Sequence, residues 1–503
     1  MDCGKLRRIA RCTLAVGVLA LAFGASTASA GALETGFLDP GAISRGGEFR
    51  LPDAVAAERT VEAGGKIIRL YLYWNRVVPS QSSEPNQATN PASYNWNQGG
   101  GLDDAVDAAR AQDLQVMLTI RSAPNFAQRG TPNSRGSQDP SPAMLERFTQ
   151  AAVAQFDTRV DLWGVWNEPN LKSFLQPQYR KGKLVSPDLY RNLLAAAAPA
   201  IHAGDNNQVI TGETAPFHFV FDGKPANPGP LLFLRQLLCM SKGSHPTKTC
   251  DRNIQADIIA THPYTSGDVR HHAARSDDVS FGDLPEWKRL VKAAAQKGQF
   301  YRSGIDLWIS ELSWDTKPPD PDAVPTRLHV RWTAEALYRT WQLGIDTLLW
   351  GQMRDYPVGN DPTYGQYQSG LYYCDDPPKS NCQVPFDLPS SQTAKPSLRA
   401  FRFPFVAYDS NGHIRIWGRT PESDAQALVI ERKTSSGWKK MTNVTSAGNG
   451  IFSKRFSSSV KHGLVRARFG IGPGERISAR FSLDRPADRF VNPFGCGGAI
   501  PCS

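Results

Sequence analysis

The chain has 503 residues, 40% of them hydrophobic and 21% charged, a net charge of +10, and 43 glycines and 37 prolines that are scattered rather than clustered. That composition excludes collagenous, wholly disordered and polytopic membrane classes, and the length calls for a large domain with a companion. The basic excess belongs to residues 400–503, where sixteen Lys and Arg face seven Asp and Glu; no nucleic-acid-reading motif accompanies them, so they read as a solvated surface and no nucleic-acid partner is expected.

Residues 1–30 read as a secretory signal: Lys5, Arg7, Arg8 and Arg11 precede an apolar run from Thr13 to Ala25, and Ala28-Ser29-Ala30 offers the small residues of a cleavage site. The run is too short to span a bilayer, and Cys12 precedes it where a lipoprotein cysteine follows, so the expectation is an extracellular protein with no stable membrane anchor. Six cysteines then remain, in the close pairs Cys239 and Cys250, Cys374 and Cys382, and Cys496 and Cys502. Sequence allows fifteen pairings. Loop closure favours neighbours, so local disulfides are preferred. The tight Cys or His spacing of a metal site is missing, and no metal or cofactor is expected.

From there apolar β-rich runs alternate with amphipathic stretches, the pattern of parallel βα units. The strand candidates are Thr35 to Leu38, Ile67 to Tyr73, Val116 to Ile120, Leu162 to Trp166, Val209 to Gly212, Ile258 to Ala260, Leu307 to Ser310 and Thr347 to Trp350. Helix candidates run from Pro52 to Ala63, Leu102 to Ala111, Pro142 to Phe156, Pro187 to Ala203, Leu231 to Met240, Pro285 to Gln296 and Leu328 to Leu343. Ser141-Pro142 and Ser186-Pro187 look like a capping serine followed by proline at the first helical position. Eight strands alternating with helices fit a (β/α)8 TIM barrel over residues 31–399. The competing doubly wound sheet wants a glycine-rich phosphate turn after its first strand, and Gly41-Ala42-Ile43-Ser44-Arg45-Gly46-Gly47 is a poor match. A long loop from Asp355 to Ala394 follows the last strand, read as a lid or an interdomain connector. Beyond Ala400 the period drops to two, with turns such as Asn411-Gly412 and Pro473-Gly474, which predicts a small C-terminal β-sandwich over residues 400–503.

Two strands end in an acidic residue. Leu162-Trp163-Gly164-Val165-Trp166-Asn167-Glu168-Pro169-Asn170 closes the fourth and Leu307-Trp308-Ile309-Ser310-Glu311 the seventh. In a parallel barrel the carboxyl ends of the strands form the reactive face, and a carboxylate pair across it suits glycoside hydrolysis. A single strand-end glutamate is more simply a loop salt bridge; the pair at these two ordinal positions carries the chemistry. A gap of about 5 Å makes the mechanism retaining and one of about 6.5–9.5 Å inverting. Glu168 needs a proton near neutrality, which burial beside Trp166 would favour; Glu311 must stay ionised, which Arg69 and the Tyr264 phenol would favour. Trp74, Trp166, Trp314 and Trp350 at strand ends suit stacking on sugar rings or, equally, core packing.

These motifs resemble the retaining clan-A glycoside hydrolases, (β/α)8 barrels that include the cellulase and mannanase family and the β-xylosidase and α-iduronidase family. Trp166-Asn167-Glu168-Pro169-Asn170-Leu171 matches the fourth-strand motif, its last two residues leaning toward the xylosidase side. The resemblance implies that Glu168 is the general acid/base, that Asn167 binds a sugar 2-hydroxyl and that Glu311 is the nucleophile. Ile68-Arg69-Leu70-Tyr71 with Trp74 resembles the second strand and implies that Arg69 supports the nucleophile; Thr261-His262-Pro263-Tyr264 resembles the sixth and implies that Tyr264 hydrogen-bonds it while His262 lines the subsite. Trp350 would be the sugar platform. Two departures stand out: Arg121-Ser122 follows the third strand where cellulase-like members usually offer a histidine, and Glu213 is an extra carboxylate, a sugar ligand or a loop cap. The expectation is a retaining glycosidase acting on an oligosaccharide, polysaccharide or glycoside, with a non-catalytic carbohydrate-binding barrel or a transglycosylase as alternatives.

Overall fold

The computed structural model describes residues 32–40, 52–98, 101–221, 223–317, 323–355, 368–373 and 394–486. The proposed signal segment, Cys374, Cys382, Cys496, Cys502 and most of the loop from Asp355 to Ala394 lie outside the described residues.

The eight apolar runs form parallel strands: β1 (Glu34–Leu38), β2 (Ile67–Tyr73), β3 (Gln115–Arg121), β4 (Leu162–Val165), β5 (Gln208–Thr214), β6 (Ile258–Thr261), β7 (Asp306–Leu312) and β8 (Thr347–Trp350). Each pairs with its sequence neighbours and β1 pairs with β8, so the sheet closes into a barrel and the open doubly wound alternative is excluded. Among the described residues, and apart from a one-turn helix at Trp74–Val77, one α-helix follows each strand: α1 (Asp53–Glu62), α2 (Leu102–Arg110), α3 (Pro142–Phe156), α4 (Ser186–His202), α5 (Pro230–Leu237), α6 (Leu284–Gln296), α7 (Thr326–Gln342) and α8 (Pro396–Arg402).

The starts of two helices differ in detail from the expectation. Ser141 is the residue before α3, with Pro142 at the first helical position, yet its side chain makes no capping bond. Ser186 lies inside α4, with Val185 before it, and its hydroxyl donates to Gln178 Oε1 at 2.6 Å. Here the proline's fixed φ starts the helix and the serine serves a tertiary contact.

Because strand side chains alternate, each strand presents one set inward and one to the helices. Ile67, Met117, Leu162, Ile210, Ile258, Ala260, Trp308 and Leu349 fill the barrel interior as one apolar cluster. Their odd-step neighbours, among them Ile68, Leu118, Trp163, Val209, Ile259, Ile309 and Leu348, join the outer core under the helices. Two register shifts break this alternation, between Ala260 and Thr261 where β6 meets β5, and between Ile309 and Leu312 where β7 meets β8. Bulges re-aim side chains. These two sit where Glu213 and Glu311 leave their strands.

The C-terminal strands are β9 (Phe405–Asp409), β10 (His413–Arg419), β11 (Ala427–Thr434), β12 (Gly437–Thr445), β13 (Ile451–Ser457), β14 (Leu464–Phe469), β15 (Arg476–Ile477) and β16 (Phe481–Ser482). They make two antiparallel sheets, β9-β10-β13 and β12-β11-β14-β15, with β16 also against β14. Asn411 and Gly412 both take positive φ (48° and 76°), the geometry of a tight hairpin turn. Phe405, Ile414, Ile416, Leu428, Ile430, Val465 and Ala467 are buried within a core continuous with that under the barrel helices. The module is fastened to the barrel. Trp417 packs against Tyr338 and Trp341 of α7 at 5.4 and 5.5 Å, and the buried Arg419 donates to the Leu33 carbonyl (2.7 Å) and Thr35 Oγ1 (3.1 Å) at β1.

Candidate active site

Arg69 is the third residue of β2 and faces inward with Ile67, so its guanidinium stands at the carboxyl end of the barrel, fully buried. Nε donates to Thr119 Oγ1 (3.0 Å), Nη1 to Glu311 Oε1 (2.7 Å) and Nη2 to Asn167 Oδ1 (2.8 Å), while Nη2 also lies 2.6 Å from Glu213 Oε1. One cation thereby ties together the ends of five strands. Gly164 makes the space: a Cβ there would stand 2.6 Å from Thr119 Oγ1 and 2.8 Å from Glu213 Oε2.

Glu168 is presented by a tight segment after β4, with Trp166 and Glu168 at φ of 68° and 41°. Such strained backbone needs external support. Glu168 N donates to the Glu213 carbonyl at 3.1 Å, and Asn170 exchanges two hydrogen bonds with Ala215, accepting from its N at 2.8 Å and donating to its O at 3.1 Å. The end of β5 therefore holds the Glu168 segment in place. His262 Nδ1 lies 2.9 Å from Glu168 Oε1, and its Nε2 lies 3.0 Å from Ser310 Oγ. One oxygen of Glu168, one of Glu311 and a ring nitrogen of His262 all fall within 4.8 Å of one another. That gap is near the roughly 5 Å carboxyl separation of direct attack and short of the roughly 6.5–9.5 Å of an inverting pair. Proximity alone would let the trio hold a cation, but the Arg69 guanidinium already supplies positive charge to Glu311.

Glu311 takes a second hydrogen bond on Oε1 from Tyr71 OH (2.7 Å) and one on Oε2 from Tyr264 OH (3.1 Å). Burial pushes its carboxyl up, but the charges of His262 and Arg69 and the Tyr71 hydrogen bond outweigh that and hold it below the ordinary value. Burial, and then the Glu311 charge, push both Tyr71 and Tyr264 well above the usual phenol range, so they remain donors. Glu213 behaves differently. Burial pushes it up to about 7 against the opposing pull of Arg69 and His262.

This constellation sits in a region matched by the family model Cellulase (glycosyl hydrolase family 5), which covers residues 42–330, more than half of the chain. The chain belongs to glycosyl hydrolase family 5. It is a retaining glycoside hydrolase. No curated protein is a significant match to the chain. Among solved structures it is similar to a family 39 glycoside hydrolase from Bacteroides cellulosilyticus WH2 (13% identity, 85% of this chain and 80% of that one, TM-score 0.49). A glucosidase from Croceicoccus marinus is similar at 14% identity (85% and 93% covered, TM-score 0.45). A GH5-4 broad-specificity endoglucanase from Clostridium acetobutylicum is similar at 15% identity (67% and 91%, TM-score 0.41).

In this family 5 barrel, Glu168, Glu311, Asn167, Arg69, His262 and Tyr264 come together at one site. Trp74 and Trp350 do not. Trp74 is one step out of phase with Arg69, Tyr71 and Tyr73; it is buried and stacks on Phe148 of α3 at 5.0 Å. Trp350 is one step from the inward Leu349, so it faces the helices, donates to the Ser369 carbonyl at 2.8 Å and packs beside His329 and Phe401. Trp166 and Trp314 are likewise buried, their indole N–H groups donating to Phe174 O (2.6 Å) and Gly267 O (3.0 Å). Packing under the helices replaces the expected sugar platform. Glu213 is neither a sugar ligand nor a loop cap: it is fully buried as the second partner of Arg69. His262 is also fully buried and bridges Glu168 to Ser310 instead of lining the cleft surface. Tyr71, Thr119 and Ser310 had been given no role. Tyr71 and Ser310 each lie an even number of steps from an inward-facing residue, Arg69 and Trp308, a signal the sequence did carry.

Proposed function

We propose that Glu311 is the nucleophile and Glu168 the general acid/base of a double displacement on a glycan or glycoside. Glu311 Oε1 is engaged by Arg69 and Tyr71 at 2.7 Å each, whereas Oε2 accepts the longer bond from Tyr264 and lies 3.7 Å from His262 Nδ1, so Oε2 is the oxygen that attacks the anomeric carbon. As that bond forms, the glycosidic C–O bond breaks and Glu168 gives its proton to the departing oxygen. Glu168 then removes a proton from water, whose oxygen attacks the same carbon and displaces Glu311. His262, anchored at Nε2 by Ser310 Oγ, points Nδ1 at Glu168 Oε1 and steadies that carboxylate whenever it is ionised. Asn167, held by Arg69, offers its amide N–H groups to a sugar hydroxyl. The observation that carries this reading is the carboxylate gap of no more than 4.8 Å. We also place the enzyme outside the cell; the Cys239–Cys250 disulfide and the basic-apolar start of the chain support that.

A panel of aryl glycosides and soluble polysaccharides, including cello-oligosaccharides, tests the assignment. Glu311→Gln is expected to abolish turnover on all of them. Glu168→Ala is expected to lose it on poor leaving groups but to recover with azide on aryl glycosides, giving a glycosyl azide of retained configuration. Labelling by a 2-deoxy-2-fluoro glycoside is expected on Glu311. Undiminished activity in Glu311→Gln, or an inverted first product, overturns it.

A further inference from the structure

The mouth of the barrel holds a cationic pocket that the carboxylate pair does not use. Arg121 ends β3 on the same face as Met117 and Thr119, so its side chain rises inward above the Thr119 that anchors Arg69. Its guanidinium carbon lies 4.5 Å from the Phe174 ring, 4.9 Å from Tyr71 and 5.1 Å from Tyr73, and Arg76 covers Tyr73 at 4.0 Å. A cavity of 410 Å³ opens here, bounded by Tyr73, Asn75, Arg76, Arg121, Arg135 and Phe174.

Three arginines border this cavity, and among the described residues no carboxylate does. Nor, among the described residues, does Arg121 form an ion pair, and its buried Nε has no hydrogen-bond partner. By contrast with Arg121, Arg69 pairs with Glu213 and Glu311, and Arg129 and Arg180 share Asp139. Aromatic rings around a guanidinium supply no counter-charge, and a carboxylate or sulfate edge is the group that guanidinium N–H donors receive. A partly desolvated cation with no counter-charge is unfavourable, and an anionic ligand removes that penalty.

We propose that this pocket receives an anionic substituent of the substrate, a carboxylate or a sulfate ester, so that the enzyme acts on a charged glycan rather than a neutral one. Tyr71 lies between Arg121 and Glu311, touching the first with its ring and the second with its hydroxyl. The charged group therefore sits on the sugar that Glu311 attacks or on the next one along that side. The inference rests on the carboxylate assignment above and deepens it.

Cellotetraose, its C6-oxidised uronate form and its C6-sulfated form make a matched set. Their affinities for the full chain carrying Glu168→Gln are measured by calorimetry at two salt concentrations, and their hydrolysis by the unmodified enzyme alongside. At least one anionic form is expected to bind roughly tenfold tighter than cellotetraose, and less so at high salt. The tighter of the two identifies carboxylate or sulfate as the source. Arg121→Gln should bring the anionic-to-neutral ratio close to one, and Arg135→Gln, at an exposed position where folding is not at stake, should lower it in part. A ratio near one in the parent protein, or one unmoved by Arg121→Gln, overturns the pocket while hydrolysis of cellotetraose leaves the glycosidase reading standing. Selective, arginine-dependent binding with no hydrolysis of any form supports the pocket and removes the catalytic reading instead.

Discussion

Glu213→Gln is the most informative single change, because it replaces a buried carboxyl by a neutral group of the same shape. Glu213 faces Arg69, His262 and Glu311 with no exposure to water, and its carboxyl is pushed from 4.5 to about 7, chiefly by burial. Between those values the folded protein keeps a proton that the unfolded chain has released, so stability from this group is full below about 4.5 and is lost as pH rises through about 7. The size of that rise corresponds to about 3 kcal/mol at pH 8, of which the glutamine variant loses none. For a chain of this length the unfolding entropy is about 1 kcal/mol per degree, so the effect is about 3 °C in Tm. Melting both proteins from pH 4.5 to 8.5 should show nearly equal Tm at the acid end and a growing advantage for Glu213→Gln at the alkaline end. Other groups that titrate in this window, such as Asp355 beside Lys395, pushed up to about 6, are common to both proteins and cancel. A Tm difference flat with pH, or a variant less stable at pH 8, would refute the argument that the second carboxylate on Arg69 is held near neutrality by burial.

Three further outcomes are expected. Tyr71→Phe removes the 2.7 Å hydrogen bond to Glu311 Oε1 and should lower kcat about 10- to 100-fold with little change in KM, a split that steady-state kinetics reads directly. Gly164→Ala inserts a methyl 2.6 Å from Thr119 Oγ1 and 2.8 Å from Glu213 Oε2, so it should cost about 1–3 kcal/mol of stability by denaturant titration and depress activity by displacing Arg69. Trp350→Ala should destabilise by about 3–5 kcal/mol through the cavity it leaves, yet leave KM unchanged in the folded fraction; a large rise in KM at unaltered stability would restore it as a sugar contact.

Much of the barrel was legible because its signals are local and repeated. β8 over Thr347–Trp350 and α3 over Pro142–Phe156 fall where the apolar periodicity placed them, and the strand-ending acids Glu168 and Glu311 were visible as polar breaks in apolar runs. Trp74 and Trp350 were misjudged because nearness to a strand end was read without strand phase. Counting alternate positions from Arg69 excludes Trp74 from the barrel mouth and admits Tyr71. Glu213 resisted reading for another reason: its extra step at the bulge beside β6 breaks the alternation, so no period in the sequence says which way it points.

Residue order alone therefore determined the alternation of strands and helices, the ordinal positions of the two glutamates and the separate all-β tail, since each depends on hydrophobic spacing within a short stretch of chain. Only closure of the sheet decided that Arg69, Asn167, His262, Tyr71 and Tyr264 surround those glutamates, that Glu213 shares the guanidinium, and that Arg121 lies open to a cavity without a counter-charge among the described residues. Those relations are set by barrel register, bulges and exclusion of water. They join side chains up to 242 positions apart, a distance at which local propensity has no influence.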